Sequence, residues 1–141
     1  MILRRLVLDA GPVISLFTKN DIQHQRALQG FQQLSRVGIR PIIPECVVFE
    51  VYKRLRYSIR NTRSNAKDAL SLMLETLEIE YGSLFMLLEL QSVTDTMPDW
   101  KGSLEDAAVA VTAKLHRAHV WTFNYRDLAA FQALEFWTPS A

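Results

Sequence analysis

The chain has 141 residues, the length of one ordinary domain, and its 49% hydrophobic and 22% charged composition excludes disordered and collagen-like architectures. Lys and Arg number 16 against 15 Asp and Glu, a formal net charge of +1. The whole chain therefore has no strong pull toward nucleic acid or membrane, and any electrostatic argument must be local.

Residues 3–8 form an apolar run that stops at Asp9, and Ala10-Gly11-Pro12 breaks it, which predicts a buried strand feeding a helix over 12–17. Asp21 opens a second helix. Residues 39–43 read as the next strand, and Pro44-Glu45 suits the first turn of a helix through 58, with Val47, Val51 and Leu55 at helical spacing. Ala66, Ala69, Leu70, Met73, Leu74 and Leu77 stripe a long helical region from Ser64, which Gly82 divides from a further helix over 84–90. Residues 94–102 hold Pro98 and Gly102 without periodicity and read as a loop into a helix over 104–117. A strand over 118–122, a short helix over 127–132 and a last strand over 134–137 complete a strand–helix alternation. That alternation predicts a single three-layer α/β/α domain over 1–141 with a mainly parallel central sheet.

Lone Cys46 can form neither an internal disulfide nor a thiolate metal site, and it suits a reducing compartment. His24, His116 and His119 show no zinc spacing. Arg4 and Arg5 precede only three apolar residues before Asp9, far short of the roughly 20 that span a membrane. A cytoplasmic protein with no membrane association is expected.

Ligands of open parallel sheets bind beyond the carboxyl ends of the strands, so polar residues directly after strands carry the most weight. Asp9 is the first; it serves either chemistry at the sheet edge or an N-cap. Glu50 borders the Val47/Val51/Leu55 stripe, where it either points along the sheet edge or pairs with Arg54 at i,i+4 on the surface. Asp106 follows Ser103 by three residues, the spacing of a capping box, and a helix N-terminus also keeps a carboxylate ionised for a metal. Glu105 is rotated about 100° away from it, and Glu45 is an ordinary first-turn carboxylate. Asn124 and Asp127 lie after the strand over 118–122, as caps or as additions to a carboxylate cluster. Such a cluster needs raised pKa values or a divalent cation, and oxygen-only ligands favour Mg²⁺ or Mn²⁺.

Four segments carry these residues: Leu-Val-Leu-Asp9-Ala-Gly-Pro, Ile-Pro-Glu-Cys-Val-Val-Phe-Glu50, Ser-Leu-Glu-Asp106-Ala-Ala-Val-Ala-Val-Thr-Ala-Lys-Leu, and Thr122-Phe-Asn124-Tyr-Arg-Asp127-Leu. In order and spacing they resemble the acidic motifs of PIN domains over nearly the whole chain, and most of all those of small VapC-type toxins, which are Mg²⁺/Mn²⁺-dependent endoribonucleases. The resemblance implies Asp9, Glu50 and Asp106 as an acidic, catalytic metal-binding core, with Asn124 as a further ligand and Asp127 as a further catalytic residue that either helps position a metal-bound water or caps its helix. It departs at Asn124, where the family often has Asp; the amide brings no charge. It also implies hydrolysis by an external water, giving 3′-hydroxyl and 5′-phosphate ends, together with a small antitoxin partner and a homodimer.

Lys53, Arg54, Arg56, Arg60, Arg63 and Lys67 form a basic run with no acidic residue among them, and Tyr57 adds a ring able to stack on a base. The run is either a solvated face or an RNA-binding one through Lys53, Arg54, Arg56, Tyr57 and Arg60. Two functions therefore compete: a metal-dependent endoribonuclease acting as a toxin, and a catalytically impaired RNA-binding or scaffold protein in which Asn124 marks lost catalysis. A phosphatase reading lacks the second Asp of an Asp-x-Asp motif at Asp9, a receiver reading lacks an acidic pair before it, and neither GxGxxG nor a P-loop occurs.

Overall fold

The computed structural model describes residues 2–58 and 63–140. β1 (Leu6–Leu8) leads into α1 (Ala10–Leu16) and α2 (His24–Arg36); β2 (Ile42–Pro44) leads into α3 (Glu45–Lys53), which continues as a π-helical turn over Arg54–Ser58. α4 (Arg63–Thr76), β3 (Glu78–Glu80), α5 (Leu84–Thr96), α6 (Leu104–His116), β4 (His119–Trp121) and α7 (Tyr125–Leu128) follow.

The sheet order is β3-β2-β1-β4 and every pairing is parallel, with Val7 opposite Ile42 and Val120, and Ile43 opposite Ile79. Leu6, Val7 and Leu8 are fully buried, as are Val120 and Trp121. Strands apolar on both faces require helices on both faces, which is the three-layer α/β arrangement expected. α6 lies against β1, β2 and β4. Its buried Ala110 and Ala113 share the core with the strands and let its backbone approach the sheet, while Ala107 and Ala108 pack against Met86 and Leu90 of α5; this approach brings the first turn of α6 to the sheet's carboxyl edge.

Trp121, the last residue of β4, packs against α2. Phe31 and Trp137 each lie with ring centroids 5.1 Å from it, and Gly30 of α2 approaches so closely that an added Cβ would fall 2.2 Å from its Cη2.

Several boundaries differ from the sequence reading. The region read as helix on either side of Gly82 contains a strand, because Glu78-Ile79-Glu80 is too short and too polar to signal one yet pairs along its whole length with β2. The last strand reduces to a single parallel bridge between Phe136 and Val120, held by Val120 N–H to Glu135 O and Trp137 N–H to Val120 O, both 2.9 Å. The short helix expected over 127–132 sits earlier, at Tyr125–Leu128, and α5 runs on to Thr96 into the stretch read as loop. Among the described residues no helix is long and apolar enough to cross a membrane.

Candidate active site at the carboxyl edge of the sheet

From β1 the chain proceeds outward to β2 and β3, then returns to place β4 on the other side of β1. The order reverses between β1 and β4, and a crevice opens at such a point beyond the strand ends. Asp9 follows β1 directly, and Thr122 follows β4.

Asp9 caps α1: its Oδ1 accepts from the Ala10 N–H at 2.8 Å, and its own N–H donates to Trp121 O at 3.1 Å. Its Oδ2 accepts from the Thr122 hydroxyl at 2.7 Å. The N-cap and the sheet-edge position are therefore properties of the same residue. Burial raises the Asp9 pKa above the ordinary value, against the lowering pull of the Thr122 and Ala10 hydrogen bonds; the Asp106 charge adds to the rise and the Arg54 charge opposes it.

Thr122 carried no role in the sequence reading, yet it is fully buried and links two parts of the site. Its oxygen also accepts from the Asn124 N–H at 2.8 Å, and the Asn124 Nδ2 donates to Asp127 Oδ2 at 3.0 Å. Asp9, Thr122, Asn124 and Asp127 thus form one hydrogen-bonded line along the edge. Asn124 stands at the N-cap position of α7 but its side chain makes no capping bond, so its amide is committed to Asp127 instead. The signal for Thr122 lay in its position, a polar residue directly after an apolar strand.

Asp106 is buried and completes a capping box: its N–H donates to Ser103 Oγ at 3.1 Å, and its Oδ2 accepts from the Ser103 N–H at 3.0 Å. Its charge reaches both Asp9 and Glu50. Glu50 projects from α3, and its Oε1 is buried without a hydrogen-bond partner. Burial first, then the charges of Asp9, Glu105 and Asp106, push the Glu50 carboxyl up to about 7, with Arg54 opposing. Glu105, set aside on helical rotation, is therefore part of the same electrostatic field.

Glu50 and Arg54 form no ion pair within 4 Å, so the surface-pair alternative does not hold; Arg54 acts on Asp9 and Glu50 at longer range. Lys53, Arg54 and Tyr57 are exposed, and the Arg56 guanidinium lies over the Tyr57 ring, 5.0 Å from its centroid. Arg60 lies outside the described residues.

Among the described residues no group of three or more His, Cys, Asp and Glu side chains is close enough to hold a metal ion as it stands. The donor chemistry nevertheless fits a hard divalent cation: the edge offers oxygen ligands only, the carboxylates repel one another, and one buried Glu50 oxygen lacks a partner.

The PIN domain family model matches residues 6–134. Among solved structures, the chain is similar to VapC20 of Mycobacterium tuberculosis, described as a Sarcin-Ricin loop cleaving toxin, with a TM-score of 0.79 at 14% identity, covering 95% of this chain and 99% of that one. VapBC2 of Rickettsia felis, bound to a DNA fragment from its promoter, gives 0.73 at 15% identity over 95% and 98%. A toxin–antitoxin complex from Klebsiella pneumoniae gives 0.64 at 24% identity over 96% and 98%. No curated protein matches the sequence significantly. With 6–134 matched and the motif-bearing strand ends gathered at one edge, the chain belongs to the PIN domain family.

Proposed function

We propose that this protein is a divalent-metal-dependent endoribonuclease that hydrolyses RNA phosphodiester bonds, the toxin of a cytoplasmic toxin–antitoxin pair. The observation that carries the reading is the unpartnered, buried Glu50 oxygen in a field of three further carboxylates at the sheet's switch point. Asp9, Glu50, Asp106 and Asn124 would hold Mg²⁺ or Mn²⁺, which when bound lowers the pKa of water and neutralises charge on the phosphate.

The chain's own groups prepare that site. Thr122 and the Ala10 N–H fix both oxygens of Asp9. Ser103 fixes one oxygen of Asp106, and Asn124 orients Asp127. Glu50 carries a proton at neutral pH part of the time and releases it when its carboxylate is used as a ligand. Lys53, Arg54, Arg56, Tyr57 and Arg60 would draw in the RNA, a role supported by the reach of the Arg54 charge into the site. A small antitoxin is the partner expected, supported by neighbours solved as toxin–antitoxin complexes. A second copy of the chain would cover the exposed apolar face of α5 at Leu84, Phe85, Leu87 and Leu88, since contiguous patches of this kind mark contact surfaces.

The test is cleavage of a mixed RNA pool by purified protein in Mg²⁺ or Mn²⁺, beside EDTA and an Asp9→Asn/Asp106→Asn control. Cutting that needs the metal and disappears in the control is the expected result. RNA that is bound but uncut by folded, antitoxin-free protein would favour the binding or scaffold role, with the uncharged Asn124 as its cause.

A further inference from the structure

Beside the acidic edge, and sharing Asp127 with it, lies a cleft of about 580 Å³ walled by Met97, Pro98, Trp100, Lys101, Arg126 and Asp127. It is shallow and open to solvent rather than enclosed, a form that suits a strand passing over it. Trp100 is held from three directions. Its indole N–H donates to Asp127 O at 2.9 Å, and Phe131 meets it in a T-shaped contact with centroids 5.1 Å apart. Gly102 lies against the ring: a Cβ there would fall 2.0 Å from Cζ2 and 2.5 and 2.6 Å from the flanking Cε2 and Cη2, an approach onto the ring face rather than its edge. The aromatic wall is therefore preorganised, and little side-chain entropy remains to be lost on binding.

Lys101 and Arg126 are both exposed, and neither has an ion-pair partner among the described residues. A fixed aromatic wall with cations at its mouth is the combination that holds a base and its phosphate in a single strand. Asp99 also lines the cleft, and with Asp127 it offsets the two positive charges. A bare anion gains little in such a setting, so contact with the base has to accompany contact with the phosphate.

We propose that this cleft is the subsite for a nucleotide adjoining the cleaved bond of single-stranded RNA. Lys101 and Arg126 take its phosphates, and Trp100 with Met97 and Pro98 receives the base. The inference rests on the nuclease reading above and extends it from the bond cut to the strand around it.

The experiment measures fluorescence anisotropy of a short labelled single-stranded RNA in EDTA across a salt series, for the full chain and for Lys101→Ala, Arg126→Ala and the double variant, each checked for folding by circular dichroism. The double variant is expected to bind about tenfold or more weakly, and the slope of log affinity against log salt should flatten by about 1.4, the value for two lost single-strand phosphate contacts. RNA should also quench tryptophan emission in the unmodified chain, and much less so in Trp100→Phe. A folded double variant with unchanged affinity and slope overturns the subsite. If the unmodified chain binds and cuts RNA but the double variant does so equally well, the subsite alone falls. If the unmodified chain neither binds nor cuts RNA, the nuclease reading falls and the subsite with it.

Discussion

Thr122 donates a 2.7 Å hydrogen bond to Asp9 from 113 positions further along the chain, and both residues are buried. The Thr122 oxygen simultaneously accepts the Asn124 N–H. Thr122→Val keeps the shape of the side chain but strands a carboxylate oxygen and a backbone N–H. It should cost about 1–3 kcal/mol of stability, whereas Thr122→Ser should cost much less. Urea midpoints for the two variants check this; equal midpoints would show that the bond has no structural weight.

Glu50 titrates at about 7 in the fold against 4.5 for an ordinary glutamate. Between those values the folded state holds a proton that the unfolded chain has released, so metal-free stability falls as pH rises from about 4.5 to about 7. The raised pKa of Asp9 acts in the same direction. Glu50→Gln removes its contribution and should flatten the pH profile while raising stability at pH 8. Thermal melts in EDTA at pH 5 and pH 8 measure it, and an identical pH profile in the variant would contradict the assignment.

A cation bound only by the folded state should raise the melting temperature by mass action, by about 2.7 kcal/mol of stability at one hundred times its Kd. Mn²⁺ or Mg²⁺ should therefore stabilise the protein, and Asp9→Asn, Glu50→Gln and Asp106→Asn should each reduce the shift. A full shift in all three variants would place the cation elsewhere.

Gly30 permits α2 to lie on Trp121 with no room for a methyl group. Gly30→Ala should destabilise by about 1–3 kcal/mol through overpacking, even though alanine is the better helix former. Since Trp121 O also receives the Asp9 N–H, the displacement should be felt at the site. Denaturation midpoints report the first effect, and cation-induced thermal shifts the second.

Asp9 and Asp106 were readable because each carries a local pattern as well as a chemical one: a carboxylate after an apolar strand, and a carboxylate three residues after a serine. Glu50 was readable from its place on the border of an apolar stripe, but its missing partner depends on α6 and β1 arriving from elsewhere in the chain. Thr122 carries no distinctive pattern, since a threonine after a strand usually only ends it, and its bond to Asp9 exists only once β1 and β4 are neighbours. β3 is illegible for a related reason: three residues with a single apolar centre take their conformation from pairing with β2 rather than from their own pattern. The basic segment was legible as charge alone; that Arg54 is exposed and acts on the inward-placed Glu50 only at longer range depends on what α3 packs against, which i,i+4 spacing does not show.

β4 enters the sheet last in chain order, next to the first strand, and brings Thr122, Asn124 and Asp127 with it. On a translating ribosome, Asp9 therefore emerges long before the residues that complete its surroundings. A nascent chain that has not yet delivered residues 119–127 has only part of the edge, so the Asp9 carboxylate stays without its Thr122 hydrogen bond until β4 pairs with β1.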